Sequence, residues 1–199
     1  MNLPNKLTLF RIILVPFFVA VLLIPGVFGR YFWAGILFGI AAYTDHLDGK
    51  LARKYNQITD FGKFLDPIAD KILVVSALVC FVQLGLAETW CVILIIAREF
   101  MVTSLRLVAV DSGVVLAANN WGKTKTVSQI LAIVLIFVFQ FLQELITAGQ
   151  LPALQVAGLQ SEALFQLAGN LLIYIATFFT VLSGVIYLVQ NRNVINTVK

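Results

Sequence analysis

Charged residues are scarce in this sequence: Asp, Glu, Lys and Arg make up 12% of its 199 residues, whereas hydrophobic residues make up 60%. A soluble domain of this size carries roughly twice that share of charge. The polar residues also cluster, which leaves apolar runs close to the roughly 20 residues needed to cross a bilayer. The composition therefore excludes a soluble globular protein and favours an integral membrane protein.

Cysteine and histidine are nearly absent. Cys80 and Cys91 are the only cysteines, and both lie within or beside apolar runs, which favours two buried thiols over a disulfide. His46 is the single histidine, so no Cys/His cluster is available for zinc. The net charge is +4, but no run of basic residues stands apart from the predicted membrane segments and their flanks. We therefore predict no nucleic-acid partner.

Six apolar segments predict a single all-α membrane domain covering residues 1–199, with six transmembrane helices. The segments are residues 7–24, 31–44, 68–84, 90–110, 127–145 and 167–189. The first has no small-residue cleavage site and is interpreted as retained. The second is short, but it can continue as a helix beyond Asp48. Residues 147–166 form the longest outer connection, for which we expect a short amphipathic helix.

The basic residues predict the orientation. With the N-terminus inside, Arg30 is the only basic residue on the outer side. Both termini are therefore expected in the cytoplasm. The residues then assigned to the cytoplasmic side are Lys6, Arg11, Lys50, Arg53, Lys54, Lys63, Lys71, Lys123, Lys125, Arg192 and Lys199.

Two pairs of aspartates follow the second segment. Asp45 and Asp48 are three residues apart, and Asp66 and Asp70 are four apart, so each pair shares one face of a helix. Four carboxylates at a membrane boundary repel one another unless a cation joins them. Their oxygen ligands suit Mg²⁺ or Mn²⁺, and four carboxylates could bridge two ions that grip a diphosphate. Any one of these aspartates alone could instead be a helix cap or an ion-pair partner.

Small and basic residues accompany the aspartates. Gly49 and Ala52 lie on the carboxylate face, where they allow either a ligand or another helix to approach closely. Arg53 can donate a fork of hydrogen bonds to phosphate oxygens or can serve as a topology anchor. His46 points to a different side from the aspartates and is interpreted as an interface residue.

This pattern, Asp45-x2-Asp48-Gly49-x2-Ala52-Arg53-x8-Gly62-x3-Asp66-x3-Asp70, resembles the full motif of the CDP-alcohol phosphatidyltransferases. The resemblance implies a six-helix homodimer with a polar cavity open to the cytoplasm, in a bacterial plasma membrane. Asp45, Asp48 and Asp66 would hold the metal, and Asp70 would act as general base while also touching it. The remaining motif positions and two N-terminal residues would bind the cytidine diphosphate: Gly49, Ala52, Arg53, Gly62, Asn5 and Arg11.

The donor implied by the motif is CDP-diacylglycerol, but the motif leaves the acceptor alcohol open. Arg98 and Arg106 lie two turns apart in the fourth segment, and Lys123 and Lys125 open the fifth. Together they could form a cationic pocket for a phosphate dianion, or they could form ion pairs and topology signals. The sequence segments around these four residues resemble those of the branch of the family that uses glycerol phosphate, so we expect sn-glycerol 3-phosphate as acceptor. Serine, inositol, inositol phosphate or phosphatidylglycerol is the alternative acceptor.

Two functions of a different class are also considered. Intramembrane carboxylates often mark ion paths, so a divalent cation transporter is one alternative. Against it, the four aspartates gather at one membrane face. A non-catalytic scaffold is the other alternative, and the intact set of four aspartates argues against it.

Overall fold

The chain folds into six helices and one short hairpin within the residues that the computed structural model describes. These are residues 3–55, 60–111, 120–156 and 158–192, with side chains described for 6–44, 68–69, 71–110, 121–155 and 158–192. The elements are α1 (Leu3–Leu23), α2 (Arg30–Tyr55), α3 (Asp60–Gln83), α4 (Thr89–Asp111), α5 (Asn120–Thr147), β1 (Gln155–Val156), β2 (Leu159–Gln160) and α6 (Ser161–Gln190). The six predicted helices are confirmed, as is the continuation of the second one past Asp48.

The connection between α5 and α6 differs from the prediction. The expected amphipathic helix is wrong, because β1 and β2 form an antiparallel hairpin there and α6 already begins at Ser161. Gly149 and Gly158 both adopt positive φ, at 72° and 80°, and Pro152 stands between them. Positive φ and a missing backbone N–H both interrupt a helix, and periodicity alone does not register them.

Three helices in the described part of the chain are long and apolar enough to cross a membrane: Lys6–Leu23, Trp121–Thr147 and Ser161–Gln190. The shorter apolar helix Lys71–Gln83 belongs to α3. α2 and α4 carry more polar residues, with Asp45 and Asp48 in α2 and Arg98, Glu99 and Arg106 in α4. Large apolar side chains such as Phe178 and Leu167, 62% and 66% exposed, face outward as a lipid-facing surface requires.

Four phenylalanines from four helices meet at the centre of the bundle. Phe18 of α1, Phe38 of α2 and Phe81 of α3 surround Phe137 of α5, with ring centroids 6.0, 6.0 and 5.2 Å from that ring. Edge and tilted contacts at these distances are favourable for aromatic rings. This Phe cluster joins α1, α2, α3 and α5, while α4 packs on α3 and α6, and α6 packs on α5.

Buried polar contacts join α5 and α6. The Gln129 amide donates a hydrogen bond to Thr180 Oγ1 at 3.1 Å, and both residues are at most 4% exposed. Thr180 in turn donates to the Ala176 carbonyl one turn earlier, at 2.6 Å. In an apolar bundle these groups find hydrogen-bond partners only in the protein, so the two helices are held together by more than packing.

Truncating Phe137 to Ala is expected to lower the free energy of unfolding by about 2 kcal/mol, because the vacated volume lies among three rings that cannot all collapse into it. The matched control is Phe178→Ala, which removes the same atoms from a lipid-facing ring. Thermal unfolding in detergent measures both. Equal losses for the two variants would contradict the assignment of Phe137 to the packing centre.

Candidate active site

The sequence motif lies on α2 and α3, at the end of the bundle where these two helices are joined. Asp45 and Asp48 lie in the second half of α2, and Asp66 and Asp70 lie in the first half of α3. The helical spacing predicted for both pairs is therefore confirmed. The side chains at these positions lie outside the described part of the chain. The same holds for Asn5, Gly49, Ala52, Arg53 and Gly62.

Among the side chains that the structure does describe, no group of three His, Cys, Asp or Glu residues could hold a metal ion. The described side chains therefore include no other candidate metal centre. The predicted ligand set of four aspartates stays a prediction.

Arg11 of α1 is described and is almost completely buried, with 1% of its surface exposed. Thr8, one turn earlier on the same helix, is equally buried. A guanidinium in the interior of a membrane bundle is costly unless it has partners, and such residues often line cavities. Its burial is compatible with the predicted role at the nucleotide end of the site.

Glu99 of α4 is the centre of a group of four charged side chains and one hydroxyl from three helices, here called the Glu99 cluster: Lys71, Arg98, Glu99, Thr103 and Lys125. The Glu99 carboxylate contacts Lys125 of α5 directly and lies 3.6 Å from the Arg98 guanidinium. The Glu99 backbone carbonyl accepts hydrogen bonds from Thr103 at 2.8 Å and from Lys71 at 3.3 Å. Lys71 also donates to Thr103 Oγ1. The alternative reading of Arg98, an ion pair with Glu99, is thus present.

The cluster contains more positive than negative charge. Two cations, Arg98 and Lys125, share the single carboxylate of Glu99, while Lys71 donates to the Glu99 backbone carbonyl. Glu99, Arg98 and Lys71 all act electrostatically on Lys125, which is 5% exposed. The Arg98 Nε is also buried without a hydrogen-bond acceptor in the described part of the chain. Such a site favours an anion with several acceptor oxygens.

The cluster and the motif are adjacent in the sequence, because Lys71 directly follows Asp70 on α3. One cation of the cluster is therefore adjacent along the helix to the predicted general base.

α6 completes the surroundings of the basic residues on α4. Arg106 donates from Nε to the Tyr187 hydroxyl at 3.1 Å, and its guanidinium lies over the Tyr187 ring, 5.3 Å from the centroid. Arg98 packs against Gly184, where an added Cβ would lie 2.9 Å from Arg98 Cγ. A side chain at position 184 would therefore displace Arg98.

The structure brings some of the four predicted acceptor residues together. Arg98 and Lys125 both contact Glu99, whereas Arg106 contacts Tyr187 instead. Lys123 is exposed, and it is two residues from Lys125, so it lies almost on the opposite face of α5. The pocket of all four cations stays a prediction.

Sequence reasoning missed four contributors: Lys71, Thr103, Gly184 and Tyr187. The sequence pattern indicates for Lys71 a cytoplasmic position or an ion pair with an aspartate, and not a contact with Glu99 and Thr103, although its position directly after Asp70 is a usable signal. Tyr187 and Gly184 gave no signal, since tyrosine and glycine are ordinary residues in a membrane helix.

These features define a helical membrane protein with paired aspartates at one end of its bundle and an anion-favouring cluster beside them. The family model for CDP-alcohol phosphatidyltransferase matches residues 1–182, and the chain belongs to that family. The resemblance seen in the motif is thereby confirmed.

Three relatives carry the name CDP-diacylglycerol–glycerol-3-phosphate 3-phosphatidyltransferase. The one from Bacillus subtilis (strain 168) is 43% identical over 207 residues, covering 98% of both chains. Those from Haemophilus influenzae and Escherichia coli K12 are 45% and 44% identical over 136 and 138 residues, covering 66% of this chain and 73% and 74% of theirs. The similarity to the first thus extends over nearly the whole length of both proteins.

Replacing Lys125 by Met is expected to destabilise the bundle by about 2 kcal/mol, because the partly buried Glu99 carboxylate keeps only its longer contact with Arg98. Lys123→Met on the opposite face is the matched control and should change the free energy of unfolding by less than about 0.5 kcal/mol.

The double variant Glu99→Gln/Lys125→Met tests the pairing itself. It should lose less stability than the sum of the two single variants, because the second change removes a charge that the first left uncompensated. Chemical unfolding in detergent measures all four proteins. Additive losses would show that Glu99 and Lys125 are not coupled.

Proposed function

We propose that this protein transfers the phosphatidyl group of CDP-diacylglycerol to sn-glycerol 3-phosphate, giving phosphatidylglycerol phosphate and CMP. The reaction is the one named for its relatives, including the Bacillus subtilis protein that matches it end to end. The observation that carries the choice of acceptor is that Arg98 and Lys125 share one carboxylate in the Glu99 cluster, with the Arg98 Nε left without an acceptor among the described residues. A neutral or zwitterionic acceptor would have no need of that second cation.

The four aspartates form the proposed metal site. Asp45 lies ten residues before the end of α2 and Asp70 ten residues after the start of α3, so in an antiparallel helix pair they are at the same level, about 15 Å from the joined ends. Asp48 and Asp66 are likewise at similar levels, seven and six residues from those ends. The four carboxylates therefore form two pairs at different heights along the helices, which fits one divalent ion for each pair.

CDP-alcohol phosphatidyltransferases generally depend on a divalent metal ion. The donor set here consists of carboxylate oxygens alone, which suits Mg²⁺ or Mn²⁺ and not zinc. When bound, the ions would neutralise the diphosphate and stabilise the negative charge that develops on the departing CMP.

The cytidine diphosphate is proposed to bind along α2 and the start of α3. Gly49, Ala52 and Gly62 leave the backbone accessible, and Arg53 donates to phosphate oxygens. Asn5 and Arg11 extend the site at the N-terminal helix, where the burial of Arg11 supports a place inside the bundle.

The proposed reaction is a direct displacement. Asp70 accepts the proton of the primary hydroxyl, whose oxygen forms a bond to the β-phosphorus, the one that carries diacylglycerol. The bond from that phosphorus to the bridging oxygen breaks, and CMP leaves with the electron pair. Lys71, Arg98 and Lys125 hold the phosphate of the acceptor, with Arg106 as a further cation on the same helix as Arg98, and this contact fixes the position of the hydroxyl.

The surroundings follow from the distribution of basic residues. We place the motif and both termini on the cytoplasmic side of a bacterial plasma membrane, since Arg30 alone is basic at the other side. The acceptor then arrives from the cytoplasm and the lipid tails enter from the bilayer. We also propose a homodimer, as the family resemblance implies.

The first test is CMP release by the purified protein with CDP-diacylglycerol, Mg²⁺ or Mn²⁺, and each candidate alcohol in turn. Release is expected with glycerol 3-phosphate and is expected to disappear with a chelator. Asp70→Asn should lower kcat by about 10²–10⁴-fold, since the general base is lost. Glu88→Gln, an exposed carboxylate outside the motif, is the control and should retain activity.

Release with serine or inositol instead would keep the chemistry and overturn the acceptor. Divalent-ion uptake into sealed vesicles without CDP-lipid, combined with no CMP release, would favour the transporter alternative.

Gly184→Ala provides a sharper test of the acceptor pocket, because the added Cβ displaces Arg98 without removing any charge. We expect the KM for glycerol 3-phosphate to rise about tenfold, which corresponds to 1.4 kcal/mol, while the KM for CDP-diacylglycerol stays within twofold. Gly169→Ala on the same helix is the matched control, since its Cβ would meet Ile136 at an ordinary 3.5 Å. An unchanged KM for glycerol 3-phosphate in folded Gly184→Ala would remove Arg98 from the pocket.

A further inference from the structure

A second polar recess lies at the opposite end of α2 from the aspartate motif. It has a volume of about 580 Å³ and is formed by the turn of residues 25–28, the first residues of α2 and the last turns of α5. Small-molecule sites are commonly of this size. Arg30, at its edge, is fifteen residues before Asp45, or about 22 Å along the helix, so the recess is separate from the proposed active site.

One side of the recess presents a cation. The Arg30 guanidinium donates to the Tyr31 hydroxyl at 3.0 Å, lies over the Tyr31 ring at 4.8 Å from the centroid, and is 3.8 Å from Glu144 Oε1. Its side chain is 24% exposed. Arg30 is thus held in place while donors remain for a further anion.

The other side presents acceptors that lack donors. Glu144 Oε2 and Gln143 Oε1 are both buried, and neither has a hydrogen-bond partner among the described residues. Both residues line the recess. Buried acceptors without donors are costly, and a ligand with N–H groups would satisfy them.

An apolar groove of about 220 Å³ continues from the recess between α2 and α5, and Tyr31 lines both spaces. Buried Tyr31 and Phe137 lie at its floor, and its rim is formed by Phe32, Ile36, Val134 and Val138, which are 38–44% exposed. The groove follows α2 for about two turns towards the middle of the bundle. Its position and lining suit a hydrocarbon chain in the bilayer.

We propose that the recess and groove together bind a phospholipid whose headgroup carries a phosphate and a primary ammonium. The phosphate binds Arg30, the ammonium donates to Glu144 Oε2 and Gln143 Oε1, and one acyl chain lies in the groove. The order of the groups along the site favours this occupant: the cation, the acceptors and the apolar groove match the phosphate, the ammonium and the acyl chain of such a lipid. The proposal concerns binding in the leaflet opposite the motif and does not depend on the proposed reaction.

Native mass spectrometry of the detergent-purified full chain tests the site with phosphatidylethanolamine and phosphatidylcholine of identical acyl chains. The two headgroups have the same net charge, but the quaternary ammonium of phosphatidylcholine has no N–H to donate. We expect one phosphatidylethanolamine to be retained per chain, at least about tenfold more strongly than phosphatidylcholine.

Glu144→Gln and Gln143→Met each remove or weaken one acceptor and should bring the two lipids to within about threefold. Two variants are used so that loss of folding in one leaves the other informative. Glu162→Gln, an exposed carboxylate on α6 outside the recess, is the control and should keep the preference. Thermal unfolding of the same proteins with each lipid should show the same order.

Equal retention of the two lipids by the unaltered protein would overturn the proposal. So would an undiminished preference in both acceptor variants. Exclusion of lipid from the dimer, but not from the monomer, would assign the groove to a second copy of the chain instead.

Discussion

Charge inside an apolar helix bundle must be compensated by the protein itself, and Glu99 is where this requirement is most concentrated. One carboxylate and one backbone carbonyl on α4 hold cations from α3, α4 and α5. Because water and lipid cannot replace these contacts, the positions of the three helices are tied to the arrangement of the charges. Because Arg98 and Lys125 share this one carboxylate, these contacts leave the cluster with more positive than negative charge.

Compensation of charge by the protein itself also explains how α4, one of the less apolar helices, packs inside the bundle. Its two arginines both contact α6. Arg98 packs on Gly184, and Arg106 lies on the ring and hydroxyl of Tyr187. An aromatic face and a residue without a side chain are two ways to accommodate a guanidinium in limited space.

Much of this was accessible from the sequence. The apolar segments predicted the six helices, and the spacing of Asp45, Asp48, Asp66 and Asp70 predicted their placement on helices. The residues that surround Arg98 were not accessible, because contacts between α4, α5 and α6 depend on which faces meet, and no spacing within one segment determines that. The short helix predicted for the outer connection is wrong, because the sequence alone does not reveal the positive φ of Gly149 and Gly158.

The buried hydrogen bond between Gln129 and Thr180 has a consequence for the rotation of the helices about their own axes. Helices that are apolar on every side have no preferred face in lipid, so hydrophobicity leaves their rotation undetermined. Gln129 lies one turn after Lys125 on α5, and Gly184 and Tyr187 lie one and two turns after Thr180 on α6. A rotation of α6 by a single residue, 100°, would break the amide–hydroxyl pair and turn Gly184 and Tyr187 away from α4. One neutral hydrogen bond therefore selects the angular setting at which both arginines have room.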